Sequence, residues 1–173
     1  MPNPKKRRIL AIDPGTREMG IAVLEGRSLI YHGVETLTNR GTPHERLLEG
    51  RRVFLRLLND FKPAVVAVET AFFASNRNTA LLNVFVDELR ALAKGRGFSV
   101  ANFAPSTIKR HMCGDGWAAK MDVAKAVAAK YPKLKVYLTQ DRKWKARYHE
   151  NMFDAVAVGV VCQEQLLVGS RQS

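Results

Sequence analysis

"ILAIDPGTREMGIAVLEG", residues 9–26, sets two apolar runs on either side of a turn. Ile9, Leu10, Ala11 and Ile12 lead into Asp13 and the pair Pro14-Gly15, and a second apolar run spans Ile21 to Leu24. The pattern predicts a strand over about 8–13, a tight turn, and a second strand over about 19–25. Asp13 is then either a turn-former, as Asp before Pro-Gly commonly is, or one corner of a site completed by acids from elsewhere in the chain.

The neighbouring segments extend the same sheet. A third apolar run over about 28–37 follows the Gly26-Arg27 turn, and the short connections predict an antiparallel meander. "TPHERLLEGRRVFLRLLNDF" reads as a helix with Thr42 as N-cap, Pro43 in the first turn and Glu45 completing a capping box. Its Leu47, Leu48, Arg51, Phe54, Leu55, Leu58 and Phe61 recur near the helical period, and Pro63 closes it. "AVVAVE", 64–69, is a continuous apolar run, the mark of a strand covered on both faces.

A helix over about 78–95, a strand in "FSVANF" and shorter helices over about 105–111 and 119–131 come next, with "CGDGW" as a loop between the last two. Residues 132–149 read as polar, basic and irregular, and an apolar helix over about 149–167 follows. This order predicts an α/β fold with one mixed sheet, three antiparallel strands first and then two parallel, flanked by helices. We expect a single domain over 8–168, a flexible basic arm at 1–7 and a short tail at 169–173.

Composition narrows the function classes. Lys and Arg number 28 against 16 Asp and Glu, a formal net charge of +12, and the pI is near 10.1. Such a balance favours a polyanionic partner, usually nucleic acid. "KKRR", residues 5–8, reads as a DNA-contacting arm, a nuclear address or a frayed solvated end. Apolar stretches are interrupted before the ~20 residues of a membrane span, and no secretory signal is visible. The two cysteines, Cys113 and Cys162, suggest no zinc site and fit reduced thiols in the cytoplasm.

The misplaced acids carry the chemistry. Glu69 ends a run of five apolar residues, where an unpaired acid is costly. Asp154 lies inside "MFDAVAVGVV", and Glu150 stands one helical turn before it. Acids at the ends of neighbouring strands, faced by a helix, converge at one sheet edge, and crowded like charges need a cation. Oxygen-only ligation of that type suits Mg²⁺, with Mn²⁺ as a substitute. In a basic protein the natural use is phosphodiester cleavage with two ions ~4 Å apart.

These blocks resemble the RuvC family of Holliday junction resolvases, within the RNase H-like superfamily. "AIDPGTREMGIAV" is similar to its first motif, "VAVETAFFASNRNTAL" to its second, "PSTIKRHMCGDGWAAKMDVAKAV" to its basic segment and "ENMFDAVAVGV" to its closing acidic helix. The resemblance implies an RNase H-like fold with a five-stranded sheet. It implies catalytic, metal-holding acids at Asp13, Glu69 and Asp154, with two Mg²⁺ ions in each subunit. Well-known members carry an acid or His three residues before the last Asp, where this chain has Asn151. Glu150 is our expectation for the fourth ligand, with Asn151 and His149 as the other candidates.

For DNA contacts the resemblance implies Phe72 or Phe73 as a base-stacking aromatic, Asn76 as a phosphate ligand or helix cap, and Lys109 and Lys120 beside the scissile strand. Arg142, Lys143, Lys145 and Arg147 form a basic run suited to a phosphate backbone. Trp117 either stacks on DNA or packs within the chain. The implied activity is a junction-resolving endodeoxyribonuclease acting as a homodimer by paired nicks that leave 5′-phosphates, with a branch-migration helicase as a candidate partner and no membrane. A looser nuclease for other branched or RNA-containing duplexes, or an inactive DNA-binding relative, are the competing expectations. The dimer face expected from sequence is the helix bearing Leu81, Leu82, Val84, Phe85 and Leu89.

Overall fold

The meander forms as its turns dictate, with β1 (Arg8–Asp13), β2 (Glu18–Glu25) and β3 (Ser28–Thr36) pairing antiparallel in sequence order. This is a computed structural model, which describes residues 7–37, 41–70, 77–138 and 143–169, and for 77, 78 and 143–148 the backbone alone. Helix α1 (Pro43–Phe61) leads to β4 (Val65–Glu69), and helix α2 (Arg77–Gly95) to β5 (Ser99–Phe103). Both strands pair parallel, giving a five-stranded mixed sheet in the order β3-β2-β1-β4-β5. The chain then covers one face with α3 (Pro105–Cys113), α4 (Lys120–Lys130), a short 3-10 helix (Pro132–Tyr137) and α5 (Lys143–Gly169). The expected α/β class, a five-stranded mixed sheet with three antiparallel strands first and then two parallel, is therefore the one observed.

The capping box of α1 is formed: the Thr42 side chain accepts from the Glu45 backbone N–H, and the Glu45 carboxylate accepts from the Thr42 N–H. Strand alternation divides the core in two. Leu10, Ile12, Ile21, Val23, Val66 and Val68 pack with Phe54 and Leu58 of α1 and Phe85 and Leu89 of α2. Ile9, Ala11, Ala22, Leu24, Val65 and Ala67 pack on the other face, against Met152, Ala155, Val156 and their neighbours on α5. That division later fixes which way the acids point.

Three expectations need correction. Residues 143–148 are not irregular but form the first turns of α5, which runs for 27 residues. Lys and Arg are good helix formers, and extending a helix already anchored by packing costs little, although no apolar period announces those turns. Phe85 and Leu89 are fully buried within this chain, so a partner cannot use them; on that helix Val84 is the exposed large apolar residue, 59 % accessible. Finally, His149–Gly169 has the length and mean hydropathy (1.4) of a bilayer-crossing helix. Its apolarity has a local cause, since residues 152, 153 and 155–163 are buried and α5 covers one face of the sheet.

Candidate active site

Strand register places the first two acids side by side. Ile12 pairs with Val68 on the parallel neighbour, so Asp13 and Glu69 are the next residues on each strand. Each continues the odd-numbered series whose earlier members, Ile9, Ala11, Val65 and Ala67, pack beneath α5. Both carboxylates therefore face α5. The end of β4 is pinned beyond Glu69, where the Thr70 N–H donates to the Phe103 carbonyl at 2.9 Å.

α5 closes over this edge at close range. Gly20, paired with Asp13 across the β1–β2 ladder, belongs to the same face. A Cβ there would stand 1.8 Å from the Asn151 carbonyl oxygen, so only glycine lets the helix backbone approach this far. Asn151 and Asp154, three residues apart, thereby stand over the strand ends. The result is a cavity of about 470 Å³ whose lining includes Asp13, Glu69 and Asp154, together with Arg17, Glu18, Lys109, Lys120 and Asn151.

The electrostatics are strained by design of the packing. Burial, then the charges of Glu69 and Asp154, raise the Asp13 carboxyl well above its usual range. Burial, then Asp154, push Glu69 up to about 7. Asp154 is also raised by burial, against the opposing pull of Lys120. The Lys120 ammonium lies 3.3 Å from Asp154 Oδ2 and 3.9 Å from Glu150 Oε2. Burial works against its charge, yet Asp154, Asp13 and Glu150 together hold its pKa above the ordinary lysine value.

Among the described residues no three His, Cys, Asp or Glu side chains are gathered into a metal-holding cluster, and the ammonium paired with Asp154 is that of Lys120. The donor set nonetheless fits a hard divalent ion. Asp13, Glu69 and Asp154 offer carboxylate oxygens, and burial and their mutual repulsion keep the acids raised in spite of Lys109 and Lys120.

These shifts predict a pH signature in the metal-free protein. Between the ordinary 4.5 and about 7, folded Glu69 holds a proton that the unfolded chain has released. Raising the pH through that window therefore favours unfolding. In EDTA, Tm is expected to fall from pH 4.5 to pH 7 more steeply for the native chain than for Glu69→Gln. Equal slopes in the two melting series would refute the burial of a strained carboxylate there.

The other expected residues divide clearly. Lys109 and Lys120 line the cavity, on α3 and on the first turn of α4. Glu150 is absent from the lining, and its side chain is 45 % exposed against 18 % for Asp154. His149 also lies outside it, its ring 4.6 Å from that of Tyr137. Phe72, Phe73, Asn76 and Arg142 fall outside the described residues, as does the 1–6 part of the basic arm. Lys143, Lys145 and Arg147 belong to the first turns of α5 by backbone. Glu18 was missed from sequence: it looks like a surface acid beside a turn, yet it shares the even-numbered face of β2 with Gly20, Ala22 and Leu24.

Comparison with known proteins shows the family and the fold. Residues 9–161 match the family model described as Crossover junction endodeoxyribonuclease RuvC. The chain is 37 % identical over 133 residues to the protein of that name from Maricaulis maris, covering 74 % of this chain and 80 % of the relative. The protein of the same name from Rhodopseudomonas palustris is 34 % identical over 137 residues, covering 76 % and 79 %. In fold, the chain is similar to Thermus thermophilus RuvC solved in complex with a Holliday junction substrate, with TM-score 0.68 and 24 % identity over 88 % of this chain and 90 % of that one. The yeast mitochondrial Holliday junction resolvase Ydc2 gives TM-score 0.65 and 16 % identity over 93 % and 80 %.

Proposed function

The chain belongs to the RuvC family of crossover junction endodeoxyribonucleases, and on that premise we propose that it resolves four-way DNA junctions in the cytoplasm by metal-dependent hydrolysis. The observation that carries this reading is the convergence of Asp13, Glu69 and Asp154, from two strands and a helix, on one cavity that also holds Lys109 and Lys120.

In this reading Asp13, Glu69 and Asp154 would hold two Mg²⁺ ions, or Mn²⁺ in their place. When bound, the ions would supply Lewis-acid activation of a water and charge stabilisation of the departing 3′-oxygen, the P–O3′ bond being the one broken so that the phosphate stays on the 5′ side. The chain's own groups do the rest. Lys109, on the cavity wall, attracts the scissile phosphate, and the Lys120 ammonium offsets the charge of Asp154. The wider excess of basic residues binds the DNA backbone, so affinity falls steeply with salt. Paired nicks require two sites, which two-fold pairing of identical chains provides. Residues 8–168 would form the nuclease domain, and a branch-migration helicase is a candidate partner.

Nicking of a synthetic four-way junction, a flap and a linear duplex at matched salt with Mg²⁺ tests the proposal. Preferential cutting of the junction is expected, and equal rates on all three would overturn it. Light scattering should give a dimer, and a monomer at micromolar concentration would remove the pairing.

Trp117 adds a contact. It is 92 % exposed on the loop between α3 and α4, whose flanking helices supply Lys109 and Lys120 to the cavity, so it does not pack within the chain. Gly114, at φ 78°, turns the chain out of α3 into this loop. An indole presented there is placed to stack on unpaired bases, worth ~1–3 kcal/mol per base. Trp117→Ala is expected to weaken junction binding about 10-fold, leaving melting unchanged. An unaltered gel-shift affinity would dismiss the stacking role.

A further inference from the structure

The cavity contains a carboxylate that the resemblance did not imply, and it comes from a different element. Glu18 opens β2 on the face beneath α5, and the Asn151 Nδ2 donates to Glu18 Oε2 at 3.2 Å, joining residues 133 apart in sequence. Both residues line the cavity with Asp13, Glu69 and Asp154. A carboxylate accepts hydrogen bonds and donates none, so the contact fixes which end of the Asn151 amide faces Glu18. The amide's Oδ1, a hard oxygen donor, is the end left over.

Charge makes the same point. Two divalent ions carry four positive charges, while Asp13, Glu69 and Asp154 offer three negative ones. Glu150 does not line the cavity, whereas Glu18 does. Building on the cleavage-site reading above, we propose that Glu18 is a positioning residue of that site: it fixes the Asn151 amide with Oδ1 available to the metal centre and contributes the fourth negative charge from β2 rather than from α5.

The arrangement works through a fixed pair. The strand start holds Glu18 beside the site, and the close approach permitted by Gly20 brings Asn151 within reach of it. Neither residue needs to move for the amide to be oriented, so its role is set by folding rather than by substrate binding.

Mn²⁺ titration of the full chain by calorimetry, alongside melting in EDTA and junction nicking, tests this. Glu18→Gln keeps the size of the side chain and removes its charge. It is expected to weaken Mn²⁺ binding about 10-fold or more, the scale for groups that orient metal ligands, with Tm in EDTA unchanged or higher. Combining Glu18→Gln with Asn151→Asp reverses donor and acceptor across the same contact and returns a carboxylate to the pair. That double variant should recover Mn²⁺ affinity to within about threefold of the native chain.

Native-like Mn²⁺ affinity in Glu18→Gln, or no recovery in the double variant, overturns the assignment. If the native chain binds Mn²⁺ and cuts the junction while Glu18→Gln does both equally well, the role of Glu18 alone fails. If the native chain neither binds Mn²⁺ nor cuts, the cleavage-site reading fails and takes this one with it.

Discussion

Asp13→Asn is expected to reduce junction nicking by about 10³-fold or more, the scale on which losing a group at the reacting centre costs rate. The same variant should bind the junction at least as tightly as the native chain, because it removes a negative charge from a cavity that must receive a phosphate. It should also melt higher in EDTA, since the carboxyl it replaces is held well above its usual pKa by burial and by Glu69 and Asp154. Those three signs together distinguish a site residue from a turn-former. A turn-forming aspartate would lose stability and binding as well as rate. The measurements are initial nicking rates with Mg²⁺, gel-shift affinity in EDTA and thermal melting; retention of more than about a tenth of the native rate would remove Asp13 from the site.

Gly20→Ala is the substitution expected to cost most in stability. The added methyl would stand 1.8 Å from the Asn151 carbonyl oxygen, a backbone atom that no rotamer change can withdraw. Either α5 lifts off the strand ends or β1 and β2 deform, and overpacking of this kind costs about 3 kcal/mol. For a chain of this length that lowers Tm by roughly 6–12 °C. The lift occurs where Asn151 and Asp154 overlook Asp13 and Glu69. A displacement near 1 Å costs on the order of 10²-fold in rate, so nicking by the still-folded variant should fall by about that factor at 20 °C. A melting temperature within about 2 °C of native would show that the close approach is not needed.

Much of the fold was legible because its signals are local. Thr42 and Glu45 announce the start of α1 through a pair of reciprocal hydrogen bonds three residues apart. The apolar runs ending in Asp13 and Glu69 announce strands and, by their parity, the face each acid takes. What escaped reading depends on contacts between distant segments. The Asn151–Glu18 bond spans 133 residues, and nothing in "TREMG" marks Glu18 as facing a cavity rather than water. Glu150 and Asn151 are adjacent on one helix, so periodicity alone could not choose which of them overlooks the strand ends. Phe85 and Leu89 looked surplus to one core stripe, yet α2 sinks them fully between α1 and the sheet. The first turns of α5 carry no apolar rhythm that would announce them.

The two-faced alternation of β1 has an evolutionary corollary. Inserting or deleting a single residue between Ile9 and Asp13 would swing Asp13 to the side occupied by α1 and α2 while turning Leu10 and Ile12 out of their own layer. Loss of chemistry and loss of folding would then arrive in the same step. A lineage can lengthen or trim the loops of such a protein freely, but the spacing inside this strand is locked in phase: an indel there leaves no folded, inactive intermediate from which selection might recover the enzyme.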